Sequence, residues 1–117
     1  MALSSLLLLL VASVSAAPSH SSAVGLGACG ITNVDSDKIV AVSEKLFDTY
    51  PGATNNPNAN PICGKKIKAS FNGKSTTVTV TDRCTGCALS DLDFSPSAFS
   101  ELADESLGRI DITWDFV

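Results

Sequence analysis

A small, mainly β domain, folded as a barrel and stapled by disulfides, is what this sequence predicts. Three observations lead there. Two alternating segments flank an Asn72-Gly73 turn, and a third alternating segment ends the chain. Four cysteines stand in a short sequence with only brief helical patterns. With 117 residues there is room for one domain. At 44% hydrophobic the chain is too apolar for disorder, and 8 Gly with 5 Pro are too few for a fibrous repeat.

From the N-terminus, Met1-Ala-Leu-Ser-Ser precedes an apolar run, Leu6 to Val11, and Val14-Ser15-Ala16 supplies the small residues a signal peptidase needs. The run is too short to span a bilayer. Residues 1–16 are therefore expected to be a secretory signal peptide, cut after Ala16, leaving a soluble extracellular protein without membrane attachment. Residues 17–24 read as an irregular lead-in, and the folded domain is expected over residues 25–117. Ile39-Val-Ala-Val42 is a β-branched apolar run, hence a strand, and Ser43 to Asp48 reads as one helical turn. Tyr50 to Pro61 is a long polar loop.

Lys65 to Phe71 and Lys74 to Thr81 flank Asn72-Gly73, a pair favoured in two-residue type I′ turns. Such a turn pairs Phe71 with Lys74, Ile67 with Val78 and Lys68 with Thr77. One face then carries Ile67, Ala69, Phe71, Val78 and Val80; the other carries Lys66, Lys68, Ser70, Thr77 and Thr79. Continuing the period of two puts Asp82 on the apolar face beyond Val80. A carboxylate there costs desolvation unless it sits at the sheet's rim with hydrogen-bond partners. Ser95 reads as the N-cap and Pro96 as the first residue of a helix running to about Ala103, with Phe99 and Leu102 inward. Gly108 breaks that pattern. Ile110, Ile112, Trp114 and Phe116 then alternate with Asp111, Thr113 and Asp115, which makes Trp114 a core residue rather than a sugar-stacking platform.

Eight Lys and Arg against twelve Asp and Glu leave a net charge of −4, which argues against a nucleic-acid or anionic-membrane partner. The single histidine, His20, lies among serines, so neither a Ser-His-Asp triad nor a histidine-rich metal site is expected, and no cofactor either. Outside the cell Cys29, Cys63, Cys84 and Cys87 oxidise, with three connectivities possible. The favoured one joins Cys29 to Cys63 and Cys84 to Cys87. The first bond closes a long loop, worth roughly 3–4 kcal/mol on the chain-entropy model, and the second fixes a tight turn. A four-cysteine zinc site is the alternative, but it usually wants two close pairs and only Cys84-Thr-Gly-Cys87 is close.

Four motifs stand in an order found elsewhere: Gly27-Ala-Cys-Gly30, Ile62-Cys-Gly-Lys65, Val78-Thr-Val-Thr-Asp-Arg-Cys-Thr-Gly-Cys87 and Asp91-Leu-Asp-Phe-Ser-Pro-Ser-Ala-Phe99. Over residues 25–117 the chain resembles double-psi β-barrel proteins: the rare-lipoprotein-A-like domains, barwin, the first domain of expansins and the small fungal loosenins. The resemblance implies a six-stranded double-psi β-barrel with short helices. Asp82, in Val-Thr-Asp, matches the aspartate that ends a central barrel strand in expansins. Asp93, in Leu-Asp-Phe-Ser-Pro, matches the aspartate needed for wall loosening. The resemblance places both at one end of an open groove and makes them the candidate catalytic or loosening residues. A glycan-cleaving carboxyl is a general acid only if burial or a like-charged neighbour raises its pKa. The plainer role for Asp82 is a structural cap for the neighbouring turn, and for Asp93 the capping of amides near Ser95. Thr81, Arg83 and Tyr50 are candidate binding residues.

Three features depart from the expansin pattern. Cys84 replaces the aromatic two positions after the first aspartate. His20-Ser-Ser-Ala-Val24 stands where the opening strand, with its threonine and tyrosines, is usual. No second carbohydrate-binding domain follows Val117, a feature shared with loosenins.

The resemblance implies a secreted, monomeric, loosenin-like protein that binds cell-wall polysaccharide (cellulose, chitin or a related glycan) and loosens it without hydrolysis. One alternative is a papain-inhibitor-like or effector-type barrel that binds a cysteine protease through the Tyr50–Pro61 loop or the Cys84–Cys87 turn. A second is glycan cleavage of the lytic transglycosylase kind. Hydrolysis needs an acid and a base on opposite sides of the bond. In barwin-like endoglucanases the N-terminal strand supplies one of them; here the first charged residue is Asp35, so the pair is incomplete and the reading leans away from an enzyme.

Overall fold

The computed structural model describes residues 10–15 and 25–117. The strands are β1 (Leu10–Ser15), β2 (Gly25–Leu26), β3 (Thr32–Asn33), β4 (Ile39–Ser43), β5 (Lys66–Phe71), β6 (Lys74–Cys84), β7 (Leu92–Phe94) and β8 (Arg109–Phe116). Two short helices, α1 (Glu44–Thr49) and α2 (Pro96–Leu102), follow β4 and β7. Six strands close a barrel in the order β1-β7-β4-β6-β5-β8, and β2 with β3 makes a separate ribbon. The six-stranded, mainly β barrel is the expected fold.

Its interior follows from the side-chain pattern. In the β5–β6 hairpin the register is Phe71↔Lys74, Ile67↔Val78 and Lys68↔Thr77, as the turn dictates. Asn72 and Gly73 both take positive φ, 48° and 81°, which a type I′ turn requires. Ile67, Ala69 and Val78 are buried while Lys66, Lys68 and Thr77 face solvent. In β8 the buried Ile110, Ile112 and Trp114 alternate with exposed Asp111, Thr113 and Asp115. Trp114 is a core residue whose indole N–H donates to the Ser90 carbonyl at 2.8 Å.

β4 is buried on both faces, which explains its unbroken apolar run. Val40 and Val42 join the main core; Ile39 and Ala41 form a second small cluster against Cys84. Ser43 caps α1 by accepting the Leu46 N–H at 3.0 Å. Ser95 occupies the N-cap position of α2 but makes no capping bond. Its hydroxyl instead accepts the Ile39 N–H at 3.2 Å and donates to the Asp37 carbonyl, tying the entry of β4 to the end of β7.

The opening-strand position is taken by Leu10–Ser15, antiparallel to β8 and bridged in parallel to β7 at Val14↔Leu92. These residues lie within the stretch read as a signal peptide. The rest of that stretch and the lead-in, including His20 to Val24, fall outside the described residues. Both disulfides have the favoured pairing, Cys29–Cys63 across 34 residues and Cys84–Cys87 across 3, so no thiol is left for the zinc alternative.

Candidate functional site

A bulge in β6 builds the site. β4 and β6 run parallel with Val40 opposite Val80, but the next pair is Ala41 opposite Asp82, so Thr81 is the extra residue. This corrects the period-two expectation. Val80 keeps its place in the main core, whereas Asp82 is carried to the Ala41 face and is half-buried rather than inside. On the other side of β4, Asp93 of β7 is also opposite Ala41, with Leu92 and Phe94 opposite Val42 and Val40. Paired residues share a face. Asp82, Ala41 and Asp93 therefore form a row across three strands, with the two aspartate backbones about 10 Å apart, two strand spacings. Ala41, fully buried, is the residue between them on the central strand.

Asp82 is held by the loop that follows β2. One carboxylate oxygen accepts both the Ala28 N–H at 2.7 Å and the Arg83 N–H at 2.8 Å. Burial pushes its pKa up; the hydrogen bonds from Ala28 and Arg83 and the charge of Arg83 partly offset this. The loop approaches closely because residue 27 is glycine: a Cβ there would lie 2.4 Å from the Thr81 carbonyl oxygen and 3.0 Å from the Asp82 Cβ. Cys29 fixes the same loop through its disulfide to Cys63 and its N–H to the Thr81 carbonyl at 3.1 Å. Asp93 is buried, 8% exposed, and sits in β7 opposite Ala41.

The candidate binding residues divide. Thr81 adjoins the row but is 2% exposed, and its hydroxyl is buried with no hydrogen-bond partner. Arg83 pairs with Asp48 at 2.7 Å and lies over the Phe47 ring, 5.6 Å from its centroid. It lines a cleft of about 410 Å³ with Phe47, Asp48, Ala53, Thr54, Asn55 and Pro57. Tyr50 packs its ring against Phe116, 6.1 Å between centroids, and joins the rim of the core. Ala41, Gly27 and Ala28 complete the site and escaped sequence reading as site residues. Gly27-Ala-Cys-Gly30 was visible as a motif, but only the register shows what it covers. Among the described residues no group of three or more His, Cys, Asp or Glu is placed to hold a metal ion.

The barrel, the bulge and the acidic row define a class. Residues 39–114 match a family model of double-psi barrels described as lytic transglycolase, and the chain belongs to the double-psi β-barrel family. It is similar to the papain inhibitor of Streptomyces mobaraensis, 38% identical over a 97-residue alignment that covers 80% of this chain and 64% of that protein. It is likewise 38% identical to the allergen Asp f 7 of Aspergillus fumigatus, over 81% of this chain and 32% of the allergen. The chain thus spans less than two thirds of these curated relatives. Among solved structures, the Streptomyces papain inhibitor superposes with a TM-score of 0.79 at 32% identity, covering 92% of this chain and 93% of that one. A Clavibacter michiganensis expansin, crystallised with cellohexaose, shares the fold with a TM-score of 0.70 at 24% identity, over 92% of this chain and 49% of that one.

Proposed function

We propose that the face carrying Asp82 and Asp93 contacts cell-wall polysaccharide, and that the protein loosens such polymers without hydrolysing them. The observation that carries this reading is the shared register of both aspartates on Ala41. Two carboxyl groups flanking a methyl can accept hydrogen bonds from neighbouring sugar hydroxyls and so compete with glycan–glycan bonds. The expansin neighbour with bound cellohexaose supports a glycan as the ligand of this fold. A non-hydrolytic action fits Asp82, because one of its oxygens already accepts two backbone N–H bonds. The two disulfides and the signal-like N-terminus support an extracellular setting.

A second reading has its own observation. The Streptomyces papain inhibitor matches this chain over 93% of its structure. Under this reading the 50–61 loop binds a cysteine protease. That loop is braced: the buried Asn60 donates to the Phe47 carbonyl at 2.7 Å and accepts the Ile62 N–H at 2.9 Å. A pull-down on insoluble cellulose and chitin, run beside a papain inhibition assay, separates the two. Retention on a polymer with no inhibition supports the glycan reading; inhibition without retention replaces it.

A further inference from the structure

We propose that the outer face of the β5–β6 hairpin binds an extended polyuronate, a glycan that carries a carboxylate on each sugar. The inference goes beyond the face of Asp82 and Asp93 and does not depend on it.

The distribution of charge carries the proposal. Residues 65–81 hold four of the eight basic residues, Lys65, Lys66, Lys68 and Lys74, and none of the twelve acidic ones. All four lysines are exposed, and none has an ion-pair partner among the described residues. Lys38, Arg83 and Arg109, by contrast, each have a carboxylate partner. Lys66 and Lys68 stand on one side of β5, about 7 Å apart along the strand. Their register partners Thr79 and Thr77, with Ser75 opposite Ser70, extend that face across β6. The Lys66 ammonium donates to the Thr79 hydroxyl at 2.8 Å, which holds it over the strand pair with two N–H groups still to give.

The neighbouring acids bound this face rather than neutralise it. Asp82 lies three positions past Thr79, about 10 Å along β6. Glu101 bonds to Thr76, which alternates with Thr77 to the other face, and already has Lys38 as its partner. Asp115 is opposite Lys68 on β8, and its carboxylate accepts the Phe116 N–H at 2.8 Å. A polyanion is thereby directed along the hairpin and not across β8. Charges farther than about 8–10 Å are screened at physiological salt, so the net −4 of the chain does not cancel a local patch.

The chemistry of the face selects the class of polyanion. The exposed large apolar residues, Leu26, Ile31, Val34, Leu89, Leu107 and Val117, all lie outside residues 65–81, so this face has nothing to insert into a bilayer. The one aromatic in the stretch, Phe71, packs against the core and offers no ring for stacking nucleobases. Lysines interleaved with serine and threonine hydroxyls match a ligand that interleaves carboxylates with hydroxyls.

The test is retention on immobilised polygalacturonate, beside the same polymer with its carboxyls methyl-esterified. Wild type is expected to bind the acidic polymer at about 0.05 M salt, to be released near 0.5 M, and to pass through the esterified one. Lys66→Gln with Lys68→Gln should weaken retention at least about 10-fold. Lys38→Gln with Lys45→Gln removes the same charge from outside the patch and should leave retention within about twofold. Both variants should melt within a few degrees of wild type, since exposed charges contribute little to stability. Asp93→Asn should bind the acidic polymer as wild type does, which separates this face from the acidic row. No retention of wild type, equal retention on the esterified polymer, or equal loss in the two double variants overturns the proposal. Tighter binding to duplex DNA or to phosphatidylserine vesicles than to polygalacturonate overturns it as well.

Discussion

Asp82 and Asp93 meet at one residue: both are register partners of Ala41, the first through the parallel β4–β6 pairing and the second through the antiparallel β4–β7 pairing. Eleven positions apart in sequence, they become neighbours across a single methyl-bearing strand. Any larger residue at position 41 fills the space between them. Ala41→Leu is therefore expected to abolish polymer binding, with a stability cost of about 1–3 kcal/mol from overpacking at a fully buried position. Binding isotherms on cellulose and chitin beside a thermal melt check both halves.

Asp82 gives a pH signature. Burial raises its pKa in the folded state, so the folded chain holds this proton more tightly than the unfolded chain. The stability from this group is fully present below the unfolded carboxylate range and is lost as pH rises through the folded value. Asp82→Asn keeps an acceptor for the Ala28 and Arg83 amides but removes the charge. Its melting temperature should exceed that of the wild type by a few degrees at pH 7, and the gap should close as the pH falls below the ordinary aspartate range. A gap that does not change with pH contradicts the assignment.

Gly27 is a spacing residue for the site. Gly27→Ala drives a Cβ into backbone, the Thr81 carbonyl, and must lift the loop away from Asp82. The expected cost is about 1–3 kcal/mol, or roughly 4–15 °C in melting temperature for a domain of this size, together with loss of polymer binding. Gly86→Ala, where a Cβ meets nothing within 4 Å, should change neither.

The disulfides differ in weight. Replacing Cys29 and Cys63 by serine should cost roughly 3–4 kcal/mol on the loop-entropy model and should also release the loop that binds Asp82. The Cys84–Cys87 bond spans only 3 positions, and its double serine variant should be clearly more stable than the first. Denaturant melts of the two variants rank them.

Ser95 separates capping from tying. Because its hydroxyl serves Ile39 and Asp37 rather than α2, Ser95→Ala strands the buried Ile39 N–H, while the Asp37 carbonyl keeps the Ser97 hydroxyl as a donor. A loss of about 1–3 kcal/mol is expected, with the helix signal in circular dichroism unchanged below the melt.

Much of this fold is legible in the chain, for local reasons. Asn72-Gly73 sets the β5–β6 register, and the alternation from Ile110 to Asp115 sets the inner face of β8. The site was legible only as two aspartates. Their meeting on Ala41 depends on a bulge at Thr81, and alternation cannot anticipate an inserted residue, so Asp82 read as facing the core. Ser95 had the composition of a cap, but its partners Asp37 and Ile39 lie 58 and 56 positions away, beyond any local pattern. The first strand was hidden differently: Leu10–Ser15 carries both the alternation of a strand and the apolarity of a leader.

The central claim is that the carboxyl of Asp93 acts on a glycan. The most direct measurement is the mechanical weakening of cellulose or chitin fibres by wild type and Asp93→Asn, with released reducing sugar assayed in the same samples. Asparagine keeps the shape of the side chain and removes its charge and titration. The account predicts that wild type weakens the fibres without releasing sugar. It predicts that Asp93→Asn is roughly 10²-fold less effective, while melting within a few degrees of wild type. An Asp93→Asn protein that weakens the fibres as well as wild type contradicts the account.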